Sequence, residues 1–252
     1  MVPVYAQIRK RARQIATQFP QPDFYSDCAQ DFERSRNIFE TEAVLEELKA
    51  YLIHQLDDDF GHGLGHATKV ALDAGALIIV EGRKNGYSKQ FISRSVVIVQ
   101  SAGLLHDVKR KHADHSIRGA AFAGRLLEGY AFSSEEVENI RVAIYNHEAF
   151  KKGIPTSGRR GALVSDCLYD ADKFRWGPDN FKDTIWEMIL FHNPPLSKFI
   201  ARYPRGMESL LRIKNTFRSE TGKKYGPQFI DIGIAIGEKL LKAIKAEFKH
   251  LL

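Results

Sequence analysis

The chain has 252 residues, 44% hydrophobic and 27% charged, which is ordinary for a globular protein and long enough to bury a sizeable core. A net charge of +6 favours anionic partners in general, while two cysteines far apart, Cys28 and Cys167, argue against a disulfide framework or a thiolate zinc site. The longest apolar run, "GALIIVEG", is too short to span a bilayer, so no membrane partner is expected.

The first stretch, "MVPVYAQIRKRARQIATQFP", places its basic residues after the apolar ones and has no apolar core of signal-peptide length. A cytoplasmic protein is expected, with an organelle-targeting segment as the alternative for this Arg-containing, acid-free start. Residues 1–38, interrupted by "FPQPDFY", read as an N-terminal helical extension, and residues 39–252 as a single domain. Apolar residues then recur at three- and four-residue steps over roughly 39–56, 66–82, 90–108, 115–128, 134–148, 160–174, 180–192, 207–219 and 227–250. Ser133 with Glu136 three later is a capping-box signature for the fifth of these. Gly and Pro mark the joins, in "DDDFGHGLG", "KNGYS", "KKGIPTSGRRG", "FHNPPLS" and "KKYGPQ". No β-alternation is visible, and the prediction is an all-α bundle with additional C-terminal helices. The last helix carries Lys239, Lys242, Lys245 and Lys249 opposite Ile236, Leu240, Ile244 and Phe248, the pattern of an amphipathic helix with a solvated face.

Five of these segments end a core-facing stripe in an ionisable group. Val70, Ala74, Leu77 and Ile78 lead back to His66. Ile92, Val96, Val99 and Gly103 lead forward to His106, with Asp107 beside it. Gly119, Phe122 and Leu126 lead back to His115; Val137, Ile140 and Ile144 lead forward to His147; Val164 and Leu168 lead forward to Asp172. One buried histidine is most often a satisfied core residue, but five segments doing this together point to coordination, because buried charges pair or bind metal. Asp107 has two oxygens and could bridge two ions. Arg110 shares its helix face, and its planar fork suits the oxygens of a bound phosphate.

The ordered set "GHGLGHATKV", "GLLHDVKR", "HADHSIRGA", "AIYNHE" and "LYDADKFRW" resembles the HD-domain superfamily of metal-dependent phosphohydrolases, in its binuclear branch, over roughly residues 60–176. The resemblance implies that His66, His106, Asp107 and Asp172 form the shared metal site and that His115 and His147 add a second ion. His115 is preferred to His112 because it opens "HSIRG". Lys173 matches a position that contacts substrate phosphate in related triphosphohydrolases. Two departures matter: "NHEAFKKGIP" stands where the cyclic-dinucleotide branch has paired histidines and Gly-Tyr-Pro, with Asn146 replacing one histidine, and Arg110 stands where many relatives have lysine.

The expected chemistry is metal-dependent hydrolysis of a phosphoester or phosphoanhydride in a nucleotide or similar small phosphorylated compound. Cofactors would be one or two divalent ions among Mn, Fe, Co, Zn and Mg. Asp107 and Arg110 are the expected catalytic pair. Lys69, Lys109, Lys111, Lys173 and His62 are the expected substrate contacts, His62 with a plain loop residue as its alternative. Two rival readings are a di-iron oxygenase using the same ligands and a non-catalytic nucleotide- or nucleic-acid-binding module. The chain lacks a basic stripe interleaved with aromatics, which disfavours nucleic acid. A homo-oligomer is compatible with everything above.

Overall fold

The three- and four-residue period becomes helix throughout, and among the described residues there is no strand. The computed structural model describes residues 3–53, 63–186, 189 and 193–249. In chain order the elements are α1 (Pro3–Ala16), α2 (Phe24–Asp27), α3 (Ala29–Thr41), α4 (Ala43–Ile53), α5 (Leu64–Lys84) and α6 (Lys89–Leu105). There follow α7 (His115–Leu127), α8 (Ser134–Asn146), α9 (Gly158–Phe174), a π-helical turn (Asn180–Thr184), α10 (Leu196–Ile213) and α11 (Glu220–Glu247). Among the described residues no helix is long and apolar enough to cross a membrane.

The central pair is α5 and α6. From Val70 to Gly82, α5 is buried on nearly every side, as a helix enclosed by others must be. Glycines set how close the two helices come. A Cβ on Gly103 would stand 2.8 Å from the Cα of Ala71, and one on Gly75 would stand 2.8 Å from the side-chain nitrogen of Gln100. At the far end, a Cβ on Gly82 would meet Ile92 at 2.7 Å. The partners of successive α5 positions fall backwards along α6, so the helices are antiparallel. The start of α5 therefore lies beside the end of α6.

The remaining helices meet at that end. Gly119 of α7 lies against the carbonyl of His106 and the Ile144 side chain of α8; an added Cβ would be 3.2 and 3.3 Å from them. The expected capping box is present at the start of α8: Ser133 Oγ accepts from the Glu136 N–H, and Glu136 accepts from the Ser133 N–H at 2.9 Å. Arg94 of α6 also donates to both Glu136 oxygens, at 2.6 and 2.7 Å. The end of α9 is fixed to α5 by the buried pair Arg175–Asp73, to which Tyr25 adds its hydroxyl. Phe174 stacks on Phe229 of α11, ring centres 4.1 Å apart. Asp170 accepts from the N–H groups of Arg218 and Ser219, both at 2.8 Å, and so holds the start of α11.

The N-terminal segment packs into the same core. Ile8, Ala12 and Ile15 of α1 and Phe24 of α2 are buried, and the Ser35 hydroxyl donates to the Leu72 carbonyl at 2.7 Å. Helix α3 passes position 38 without a break, so the boundary expected there has no structural counterpart. The C-terminal helices differ most from expectation. The Pro-containing α10 begins at Leu196 rather than near 207, and α11 begins at Glu220 under a Ser219 cap, with Pro227 inside it.

Candidate metal centre

Each residue of the centre sits at a helix end because its stripe does. His66 lies in the first turn of α5, His106 caps the end of α6, and Asp107 follows it. His115 opens α7, His147 caps the end of α8, and Asp172 lies in the last turn of α9. All six side chains are buried or nearly so.

Asp107 divides them into two groups. Its Oδ2 faces His106 Nε2 at 3.5 Å and His66 Nε2 at 3.9 Å. Its Oδ1 faces His147 Nε2 at 3.4 Å and His115 Nε2 at 3.6 Å. Asp172 joins the first group, with Oδ1 3.4 Å from His66 Nε2 and 3.7 Å from His106 Nε2. The two histidines of that group are 3.3 Å apart, Nε2 to Nε2. The donor atoms of His66, His106 and Asp107, and those of Asp107, His115 and His147, each lie within 4.8 Å of one another. Two donors bound to one ion at about 2.1 Å are themselves roughly 3 to 3.5 Å apart, so both sets fit a divalent cation.

The hydrogen bonds behind the rings aim the lone pairs inward. His106 Nδ1 donates to the Gly103 carbonyl at 2.7 Å and His147 Nδ1 to the Ile144 carbonyl at 2.6 Å. A carbonyl only accepts, so Nδ1 carries the proton in both, and in the neutral ring Nε2 carries the lone pair. In His115 the same tautomer follows from the other side. Arg110 Nη1 can only donate, and it lies 2.8 Å from His115 Nε2.

The electrostatics differ between the two groups. Burial would lower the His106 pKa, but the facing Asp107 and Asp172 carboxylates raise it. Burial would raise that of Asp172, but Lys173 and the two imidazoles hold it well below the usual carboxylate range. His115 is pushed down to about 4 by burial, with Arg110 and His147 adding to the effect and Asp107 opposing it. The second group is thus short of negative charge relative to the first.

A cavity of about 590 Å³ opens from the centre. Two of the expected cationic contacts line it. Arg110 stands over the second group, and Lys173 donates to Asp172 Oδ2 at 2.5 Å. Three others do not line it. Lys69, three residues on from His66, points toward Asp179 and Asp183, at 3.5 and 3.7 Å. Lys109 lies over the Phe122 ring at 4.4 Å, and Lys111 is exposed. His62 lies outside the described residues; His112 is exposed, as expected.

Some neighbours of the centre gave no separate signal in the sequence. Glu148 accepts from Ser116 at 2.6 Å and puts Oε1 3.7 Å from His115 Nδ1. The carboxylate directly after His147 in "NHE" was its only clue. Phe150, Trp176 and one face of α10 complete the cavity wall.

No family model matches the chain, and no curated protein matches it. A solved structure to which the chain is similar is that of a "predicted HD superfamily hydrolase" from an uncultured Thermotogales bacterium. Sequence identity is 20%, the TM-score is 0.47, and the match covers 79% of this chain and 91% of that one.

Proposed function

We propose that this protein is a metal-dependent phosphohydrolase that cleaves a phosphoester or phosphoanhydride bond of a small phosphorylated compound. The observation that carries the reading is the division of Asp107: one oxygen toward His66 and His106, the other toward His115 and His147. That is what a carboxylate shared between two cations requires. His66, His106, Asp107 and Asp172 would hold one ion, and Asp107, His115 and His147 the other. Ions bound there would lower the pKa of a bound water toward neutrality and polarise the phosphoryl oxygens.

The remaining work falls to side chains of the chain. Arg110 reaches the cavity beside the second group, so its guanidinium would pair with phosphoryl oxygens and offset the charge that grows on them. Lys173 neutralises the outer oxygen of Asp172 and keeps Oδ1 turned toward His66 and His106. Its ammonium also faces the cavity and would meet a second phosphate oxygen. The Gly103 and Ile144 carbonyls hold His106 and His147 in the orientation that ligation needs.

The test is metal analysis of purified protein followed by a phosphate-release screen over phosphorylated compounds with Mn, Fe, Co, Zn or Mg added. Phosphate release that needs both the metal and Asp107 supports the reading. Oxygen consumption by a di-iron form, without phosphate release, would replace it with an oxygenase.

A further inference from the structure

The cavity has two unlike ends. At the inner end stand His66, Asp107, His147 and Asp172, which would hold the ions, with Arg110 and Lys173 beside them to meet a metal-bound phosphate. Beyond them the described wall is mostly hydrocarbon and aromatic, with Asn180 and Thr184 half-buried in it and the exposed Lys198 and Arg202 also along it. Helix α10 supplies most of it through Phe199, Tyr203, Met207, Leu210 and Ile213, at three- and four-residue steps along one face. Phe181, Ile185, Trp176 and Phe150 close the other sides.

Three polar groups next to that face are already engaged elsewhere. The Tyr203 hydroxyl donates to the Gly237 carbonyl at 2.7 Å. Arg175 is tied to Asp73, Asp179 and Tyr25. Ser209 donates to the Arg205 carbonyl at 3.0 Å. A sugar ring or a base edge laid against Phe199, Tyr203, Met207, Leu210 and Ile213 would find few hydrogen-bonding partners on that face, and unpaired buried polar groups weaken binding. A hydrocarbon or aryl group would lose nothing and would gain from leaving water.

We propose that the natural substrate is a phosphate ester whose organic part is a bulky apolar group, seated along the α10 face while its phosphate reaches the metal centre. This rests on the phosphohydrolase reading and narrows it away from nucleotides. Gly206 gives a clean probe. It lines the cavity three residues after Tyr203 and four before Leu210, and a Cβ added there would meet nothing within 4 Å. A larger side chain can therefore narrow the cavity without disturbing the core.

The experiment compares metal-loaded wild type and Gly206→Leu on 1-naphthyl phosphate and a prenyl monophosphate, against nucleoside monophosphates, a hexose phosphate and glycerol phosphate. Expected is a kcat/KM at least about tenfold higher for the apolar esters. Gly206→Leu should raise KM for the apolar esters several-fold and leave glycerol phosphate, which does not reach that far, unchanged. Comparable or better turnover of the nucleotide or hexose esters would overturn the inference while leaving the phosphohydrolase reading intact. Absence of phosphate release from every compound would instead remove that reading. In that event calorimetric titration with 1-naphthyl phosphate decides the inference: binding weakened by Gly206→Leu upholds the apolar subsite, and no binding, or binding indifferent to the substitution, ends it.

Discussion

Arg110 Nη1 lies 2.8 Å from His115 Nε2 and 3.9 Å from Asp107 Oδ1, so the guanidinium stands against two of the three donors of the second cation group. It donates into the lone pair that an ion would need. A second ion must therefore turn Arg110 outward, toward the cavity where a phosphate would meet it.

Arg110→Ala should bind the second equivalent of metal more tightly than wild type and yet lose about 10²- to 10³-fold in turnover, the usual cost of removing a group that stabilises transition-state charge. Elemental analysis and calorimetric titration measure the first effect, phosphate release the second. An unchanged metal affinity would mean that Arg110 does not compete for His115.

Asp107→Ala should abolish turnover and deplete both groups together, since each loses the oxygen it shares. Wild type at a free metal concentration 100 times its Kd gains about 2.7 kcal/mol of stability by mass action. Thermal melts with and without Mn or Co should show that gain in wild type and lose most of it in the variant. A full metal-dependent rise in Tm for Asp107→Ala would separate Asp107 from metal binding.

Gly103→Ala should destabilise the fold by about 1–3 kcal/mol, because the new methyl meets the Ala71 backbone, which cannot turn aside. The contact is one turn from His106, whose Nδ1 donates to the Gly103 carbonyl, so metal affinity should fall as well. Urea unfolding measures the first effect and titration the second.

Glu136 gives a pH prediction away from the centre. Hydrogen bonds from Arg94 hold its carboxyl down at about 2 against the effect of burial, helped by the Ser133 N–H. A folded-state pKa below the unfolded value contributes stability that is fully present above pH 4.5 and is lost as pH falls from 4.5 toward 2. Glu136→Gln should flatten that part of the stability curve, as followed by urea midpoints at stepped pH. Ser133→Ala should cost about 1 kcal/mol at neutral pH through loss of the cap.

The meeting of the six side chains and the all-helical architecture were legible in the sequence because one physical rule carries both. A stripe that buries apolar residues and ends in a histidine or aspartate fixes the helix and aims its last side chain at once. The lysines were not legible in the same way. Lys69 and Lys109 follow ligands by only three residues, and a Coulombic argument from sequence cannot tell the ligand face from the one that meets Asp179 or Phe122. The cavity wall was hidden for a different reason. Leu196, Phe199, Tyr203, Leu210 and Ile213 keep a helical period, but "NPPLS" and Pro204 read as breaks, while in the structure Pro195 precedes the helix and Pro204 lies within it. Pro227 shifted the expected start of the last helix for the same reason, against the Ser219 cap that sets it.

Because the six side chains come from five separate helices, with His66 and His106 alone 40 positions apart, a cation held between them would act as a staple across residues 66 to 172. Because the cavity opens onto the centre, such an ion could leave along it one ligand at a time, without the bundle first coming apart. Its loss would still release five helix ends from a common tie, so the metal-free protein should fray first at that end of the bundle.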